Sequence, residues 1–219
     1  MRNIKRILKE NDLGDMGIGA MIVFIAMVLV AGIAASVLIQ TANRLEIQAM
    51  TTGQETTREV STGLAVVDIE GLAAGNLITE MTITVRARAG SGDIDLGQTV
   101  LELTDGTIKT LLTYDSTKRQ FNLSTDETGS IFGTGAWNMT NEQFGILVLQ
   151  DEDSSLTATN PVINRGDLVM LCVNTAACFT GGLVPRSDIG GIVSPEQGAS
   201  GIFAFRVPSS LTETVYDLY

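Results

Sequence analysis

The sequence predicts an α+β fold, a long hydrophobic N-terminal helix followed by an antiparallel β-sandwich, on three observations. Met16 to Ile39 is a run of 24 residues without a charge. The helical pattern then continues without proline through NRLEIQAMTTGQETTREVSTGL to about Gly63. Beyond Gly63 the period changes from helical to alternating, as strands require.

The first residues carry Arg2, Lys5, Arg6 and Lys9, and after the apolar run the next charge is Arg44. A helix needs roughly 20 apolar residues to cross a bilayer core, so the run is of membrane-spanning length. It is too long for a secretory signal peptide, whose apolar core holds about 7 to 15 residues. The basic residues in front keep the N-terminus cytoplasmic and place the bulk of the chain outside. One helix over 15–63 would be about 75 Å long at 1.5 Å per residue. A helix apolar on all sides must be buried, either in lipid or in a bundle of equals. Small residues recur in it at four-residue spacing, Ala31 with Ala35 and Gly32 with Ser36. That spacing lets helices approach closely in an apolar medium, although a plain membrane anchor also contains small residues.

In the remainder, 64–219, Met81, Ile83, Val85 and Ala87 interleave with Thr82, Thr84, Arg86 and Arg88, the pattern of a half-buried strand. Asp105-Gly106 between VLELT and TIKTLLTY is a hairpin signal. Further strands are predicted over Phe144–Gln150, Asp167–Asn174 and Gly201–Pro208. Together they suggest an immunoglobulin-like sandwich. The region from Gly90 to Asn160 is legible by pattern alone.

Composition excludes several functions. With 25 acidic and 14 basic residues the net charge is −11, the wrong sign for a general nucleic-acid binder. Histidine is absent, which removes Ser-His-Asp and Cys-His chemistry and the commonest metal ligand. An anchored extracellular hydrolase would have to work with paired carboxylates. The pairs Gly181-Gly182 and Gly190-Gly191 lack the pattern of a phosphate-binding loop and read as loop glycines.

The stretch Gly14-Asp15-Met16-Gly17-Ile18-Gly19, continuing through MIVFIAMVLVAGIAASVLIQTA, closely resembles the start of archaellins, the type IV pilin-like subunits of the archaeal flagellum. TTGQETTREVSTGL and the C-terminal GGIVSPEQGASGIFAFRVPSSLTETVYDLY resemble archaellins as well, so the likeness covers both ends and about half the chain. Gly19 stands where bacterial type IV pilins usually carry glutamate, as in archaellins. Asp12 and Leu13 precede Gly14, whereas archaellin leaders more often place basic residues there.

The resemblance implies a leader, 1–14, removed by a membrane-embedded prepilin peptidase between Gly14 and Asp15. Removal of 4 basic and 2 acidic residues would leave 10 and 23, a net charge of −13. It further implies a structural, non-enzymatic subunit that waits in the cytoplasmic membrane and then forms a homopolymer, or a co-polymer with other archaellins, in the extracellular swimming filament. Its N-terminal helices would pack in the filament core through Ala31, Gly32, Ala35 and Ser36, and the filament would be turned by the archaellum motor and platform. An adhesive archaeal type IV pilin is the nearest alternative.

Five further features are candidate sites. Asn122-Leu123-Ser124 and Asn138-Met139-Thr140 match the N-glycosylation sequon, and archaellins are often glycosylated. Cys172 and Cys178 are either two buried thiols or, as export favours, a disulfide across a short loop. No cofactor is expected. Asp93 with Asp95, and Asp151-Glu152-Asp153, could offer oxygens to a structural divalent cation, but neither has the spacing of a dedicated loop, and they read as solvated turn carboxylates.

Overall fold

A computed structural model describes residues 2–120, 131, 132, 137, 139–157 and 159–219, with the backbone alone described for 2–15 and 120. The chain forms two compact units, 1–54 and 55–219.

Helix α1 spans Arg2–Ser61. It ends within two residues of the predicted point but starts well before Asp15. Residues 2–13 are mostly good helix formers without proline, and the one glycine, Gly14, costs only about 1 kcal/mol relative to alanine. Side chains of 16–39 are exposed around the whole circumference, Met16 at 70%, Phe24 at 67% and Leu38 at 68%. Two hydroxyls farther along are satisfied within the helix: Thr41 donates to the Val37 carbonyl at 3.0 Å and Thr51 to the Ile47 carbonyl at 3.1 Å.

The second unit is built on one nine-stranded sheet. Its strands are β1 (Leu64–Ala74), β2 (Leu77–Ala87), β4 (Val100–Thr104), β5 (Lys109–Gln120), β6 (Gln143–Gln150), β8 (Leu168–Val173), β9 (Asp188–Ser194), β10 (Gly201–Arg206) and β11 (Val215–Asp217). They lie in the order β10-β9-β4-β5-β6-β8-β2-β1-β11. β3 (Ile94–Asp95) and β7 (Val162–Ile163) form a separate two-stranded ladder. α2 (Thr175–Cys178) is a single turn capped by the Asn174 side chain.

The predicted sandwich is therefore one sheet that curls around its core. Its ends approach where the Leu64 N–H donates to the Ala199 carbonyl at 3.2 Å and the Ala199 N–H to the Thr62 carbonyl at 2.8 Å. Among the described strands all ladders are antiparallel except β5 with β6, whose long connection permits a parallel crossover, and the isolated Gly63–Ala199 bridge is parallel too. The Asp105-Gly106 hairpin forms as expected: Gly106 takes a positive φ of 84°, and Asp105 Oδ1 accepts from the Thr107 and Ile108 N–H groups at 2.8 and 2.6 Å.

Gly190 and Gly191 are not loop residues. They sit inside β9, and Gly191 pairs with Phe203. A Cβ at Gly191 would fall 2.2 Å from the tip of the Phe203 ring, which occupies the space a side chain would need. Gly182 is a loop glycine with φ 127°, held against the Ile78 carbonyl, 2.6 Å from where a Cβ would stand.

Alternation gives the sheet two apolar faces. Met81, Ile83 and Val85 of β2, Phe144 and Ile146 of β6, and Val169, Leu171 and Val173 of β8 point into the main core. On the other face Leu147, Met170 and Cys172 form a smaller cluster with Phe132, Trp137 and Met139. There Trp137 stacks near Phe132 at 5.1 Å and donates its indole N–H to the Ile131 carbonyl at 2.9 Å.

This two-faced packing corrects the disulfide expectation. Cys172 belongs to the outer cluster and Cys178 to the main core, and both are free buried thiols. Strand alternation sends Cys172 to the face opposite Leu171 and Val173, so the sheet stands between the sulfurs. Burial raises both thiols above their ordinary range, Cys178 to about 11, and Glu80 adds to the effect at Cys172.

The outer unit begins before Leu64, because Thr62 and Gly63 belong to its fabric. Thr62 is buried, and the Gly63 N–H donates to Ser91 Oγ at 3.0 Å. A fragment 55–219 should fold as a soluble β-rich protein. A fragment 64–219, lacking the Thr62 carbonyl and Gly63, should be about 1–3 kcal/mol less stable in denaturant melts, at roughly 1 kcal/mol per lost hydrogen bond. Ile83→Ala should remove about 2–5 kcal/mol, whereas Ile202→Ala, at a position 71% exposed, should stay within about 0.5 kcal/mol. Neither thiol should react with an aromatic disulfide reagent at neutral pH, since raised pKa values leave almost no thiolate, and both should react after denaturation.

Candidate functional site

The largest functional surface is the apolar half of α1. No side chain between Met16 and Ile39 carries a charge, and all of them are exposed. Ala31 and Ala35 share one helical stripe and Gly32 and Ser36 the neighbouring stripe, as four-residue spacing dictates. A Cβ at Gly32 would meet nothing within 4 Å, so that side of the helix is open in the single chain. Gly14 and Asp15 lie in continuous helical backbone, with no break marking the junction between them.

The remaining sequence candidates fall elsewhere. Asn122 and Asn138 lie outside the described residues. Asp95 caps a short 3-10 turn over Leu96–Gln98, accepting from the Gly97 N–H at 2.7 Å, while Asp93 lines a shallow pocket beside Arg58 and Glu196. Of the second acidic group, Asp151 and Asp153 come together with Asp167 rather than with Glu152, one oxygen of each lying within 4.8 Å of the others. Glu152 turns away to lie against Gly166. Sequence reasoning missed Asp167 because it arrives from the start of β8, remote along the chain.

These three carboxylates are the described groups best placed to hold a metal ion, and they are also the acceptors that tie two loops together. Asp167 is buried and accepts from the Asn164 N–H at 2.9 Å and the Glu152 N–H at 3.2 Å. Asp151 accepts from the Ser155 and Leu156 N–H groups at 3.2 and 3.3 Å. Asn164 Nδ2 donates to Asp153 at 2.6 Å, and hydrogen bonds from Ser155 and Asn164 hold the Asp153 carboxyl below its ordinary value. The three carboxylates serve as loop fasteners. The absence of histidine from the sequence removes Ser-His-Asp and Cys-His chemistry.

Comparison with known proteins agrees with a structural role. The archaeal-type flagellin family model matches residues 14–205. Flagellin B2 of Methanocaldococcus jannaschii is 43% identical over 201 residues, 92% of each chain. Flagellin B3 of Thermococcus kodakarensis is 35% identical over 258 aligned positions, covering 97% of this chain and 99% of its own. Among solved structures, the crystal structure of archaeal flagellin FlaB1 from M. jannaschii aligns with a TM-score of 0.65 at 32% identity, over 72% of this chain and 96% of that one. A chain of the archaeal flagellum of Methanospirillum hungatei strain JF1 shares the fold, with a TM-score of 0.60 at 15% identity over 92% and 98% of the two chains. This chain belongs to the archaeal-type flagellin family and is a structural subunit of the extracellular archaellum filament, not an enzyme.

Proposed function

We propose that α1 serves two apolar environments in turn, the cytoplasmic membrane and then the packed centre of the filament, after a prepilin peptidase has removed residues 1–14. The observation that carries this reading is the uncharged segment 16–39, exposed on every side of a helix. Buried apolar area stabilises by roughly 25 cal/mol per Å², so such a surface cannot remain in water.

Leaving lipid for neighbouring helices exchanges one apolar medium for another. Exclusion of water therefore contributes little to the second step, and close packing has to drive it. Ala31, Gly32, Ala35 and Ser36 supply the small surface on which a neighbouring helix, from another copy or from a related archaellin, can approach. The basic residues Arg2, Lys5, Arg6 and Lys9 leave with the leader, so the helix that enters the filament core starts at Asp15 and carries no basic side chain before Arg44. The outer sheet then forms the filament's exterior, with Asn122 and Asn138 as glycan acceptors, and the motor and platform turn the assembled rod.

Terminal sequencing of purified filaments should read Asp15 as the first residue, and any other start would overturn the assigned cut. Replacing Gly14 by a bulky residue should leave full-length precursor in the membrane. Gly32→Leu keeps the segment apolar, so insertion and processing should survive, while the added bulk blocks close approach. We expect membrane accumulation with few or no filaments and lost swimming. Wild-type filaments in that variant would show that Gly32 faces no tight contact.

A further inference from the structure

The outer face of the β1–β2 ladder carries charge of opposite sign at its two ends. Thr82, Thr84, Arg86 and Arg88 alternate with the core-facing Met81, Ile83 and Val85, so all four point away from the main core. On β1 a register shift between Val66 and Asp68 resets the alternation and pairs Asp68 with Thr84 and Glu70 with Thr82. Asp217 of β11 pairs with Glu70 from the other side. Asp68, Glu70 and Asp217 thus form an acidic pole. Two residues farther along β2, about 7 Å on at 3.3 Å per residue, Arg86 begins a basic one.

The basic pole is a groove lined by Arg86, Arg88 and Arg165, with Ala65, Gly166 and Asp167 between them. Asp167 is already engaged by the Asn164 and Glu152 N–H groups. The two ion pairs among the described residues, Lys109 with Glu102 and Arg206 with Asp188, involve neither pole. Burial, and after it the charges of Asp68 and Asp217, push the Glu70 carboxyl above its ordinary value, as crowded carboxylates without a cation must be. None of the three arginines makes an ion pair among the described residues, on a chain with a net charge of −11.

A subunit that polymerises without closing into a ring uses two different patches of its own surface, each complementary to the other. Given the filament reading, we propose that these poles are such a pair: the Arg86, Arg88 and Arg165 groove of one subunit docks the Asp68, Glu70 and Asp217 pole of a neighbouring copy. Like-charged outer domains repel except in the one orientation that brings unlike poles together, so the contact sets rotational and axial register.

Charge reversal on the full-length chain in cells tests it. Arg86→Glu with Arg88→Glu makes both poles acidic, and Asp68→Lys with Glu70→Lys makes both basic. Each double variant should be processed and reach the membrane normally but give short filaments, shortest at low salt, where like poles repel most strongly, and longer as added salt screens the repulsion. We expect subunit association roughly tenfold weaker, equivalent to about 1.4 kcal/mol. Co-expressing the two variants should restore long filaments containing both, since acidic and basic subunits can alternate. A folding defect would not be rescued in that way, and circular dichroism of detergent-extracted subunits reports it independently. Should the reversals unfold the chain, the neutral Arg86→Gln with Arg88→Gln pair should shorten filaments to a smaller degree, with less dependence of length on salt than in the wild type.

Wild-type filament length and wild-type response to salt in both reversed variants would overturn the proposal, as would folded variants without rescue on mixing. Intact filaments combined with lost binding of anionic lipid vesicles by the arginine variant would assign the groove to a membrane and also overturn it. Failure of the filament reading looks different, because wild-type filaments would then lack peptides of this chain.

Discussion

Fifteen large apolar side chains between Met16 and Ile39 stand exposed on one helix, and the rest of the molecule is arranged around that constraint. Each is worth about 1.5–3 kcal/mol when buried, so the segment represents tens of kcal/mol that can be gained only from lipid or from other subunits. A chain that must hold such a segment in reserve cannot use it for its own folding. Accordingly, the core of the outer unit draws no residue from the apolar run and begins at Leu64. The outer sheet completes its own packing while the helix waits for a partner.

Self-sufficiency explains the curl of the sheet. An open nine-stranded sheet would leave a face and two edges for strangers, which is hazardous in a protein that already exposes an apolar helix. Here the sheet wraps its main core until Thr62 and Leu64 meet Ala199, while β11, three residues long, ends the opposite edge. The outer face of β6 and β8 is covered in part by Phe132, Trp137 and Met139. Glycines serve this geometry where backbone or ring must come close, as at Gly191 beneath Phe203.

Strong local signals in the sequence correspond to the elements that local physics controls. Continuous hydrophobicity marked the helix, alternation marked β2, and Asp-Gly marked the hairpin between β4 and β5. β9 was missed because two adjacent glycines read as a loop, and only a long-range partner, Phe203, makes a strand of them. The separation of Cys172 from Cys178 depends on which face of β8 each residue occupies, information that six residues of spacing do not contain. Asp167 joins Asp151 and Asp153 through tertiary folding, and Asp68 opposes Thr84 only because of a bulge in β1. The helix start was displaced for a different reason: helix propensity continues through residues 2–13, so the backbone carries no break before Asp15.

Two kinds of contact remain for a filament built from such subunits, and they differ in what they determine. Apolar helices packed through small residues gain dispersion energy at close range, yet a smooth stripe of methyl groups has a similar fit one helical turn away, about 5.4 Å along the axis. Energy without register would give a bundle rather than a rod of constant geometry. Register has to come from groups that are few, directional and incompatible with the wrong neighbour, and charge provides this in water because like poles repel while unlike poles attract. Such pairs are individually weak at an exposed surface, about 0.2–1 kcal/mol each, and screened beyond about 10 Å at 0.1 M salt. They need only bias a choice among arrangements that the helix core leaves nearly equal. The net negative charge of the outer unit supports that choice, since a contact that leaves the arginine groove unmatched sets one net-negative surface against another.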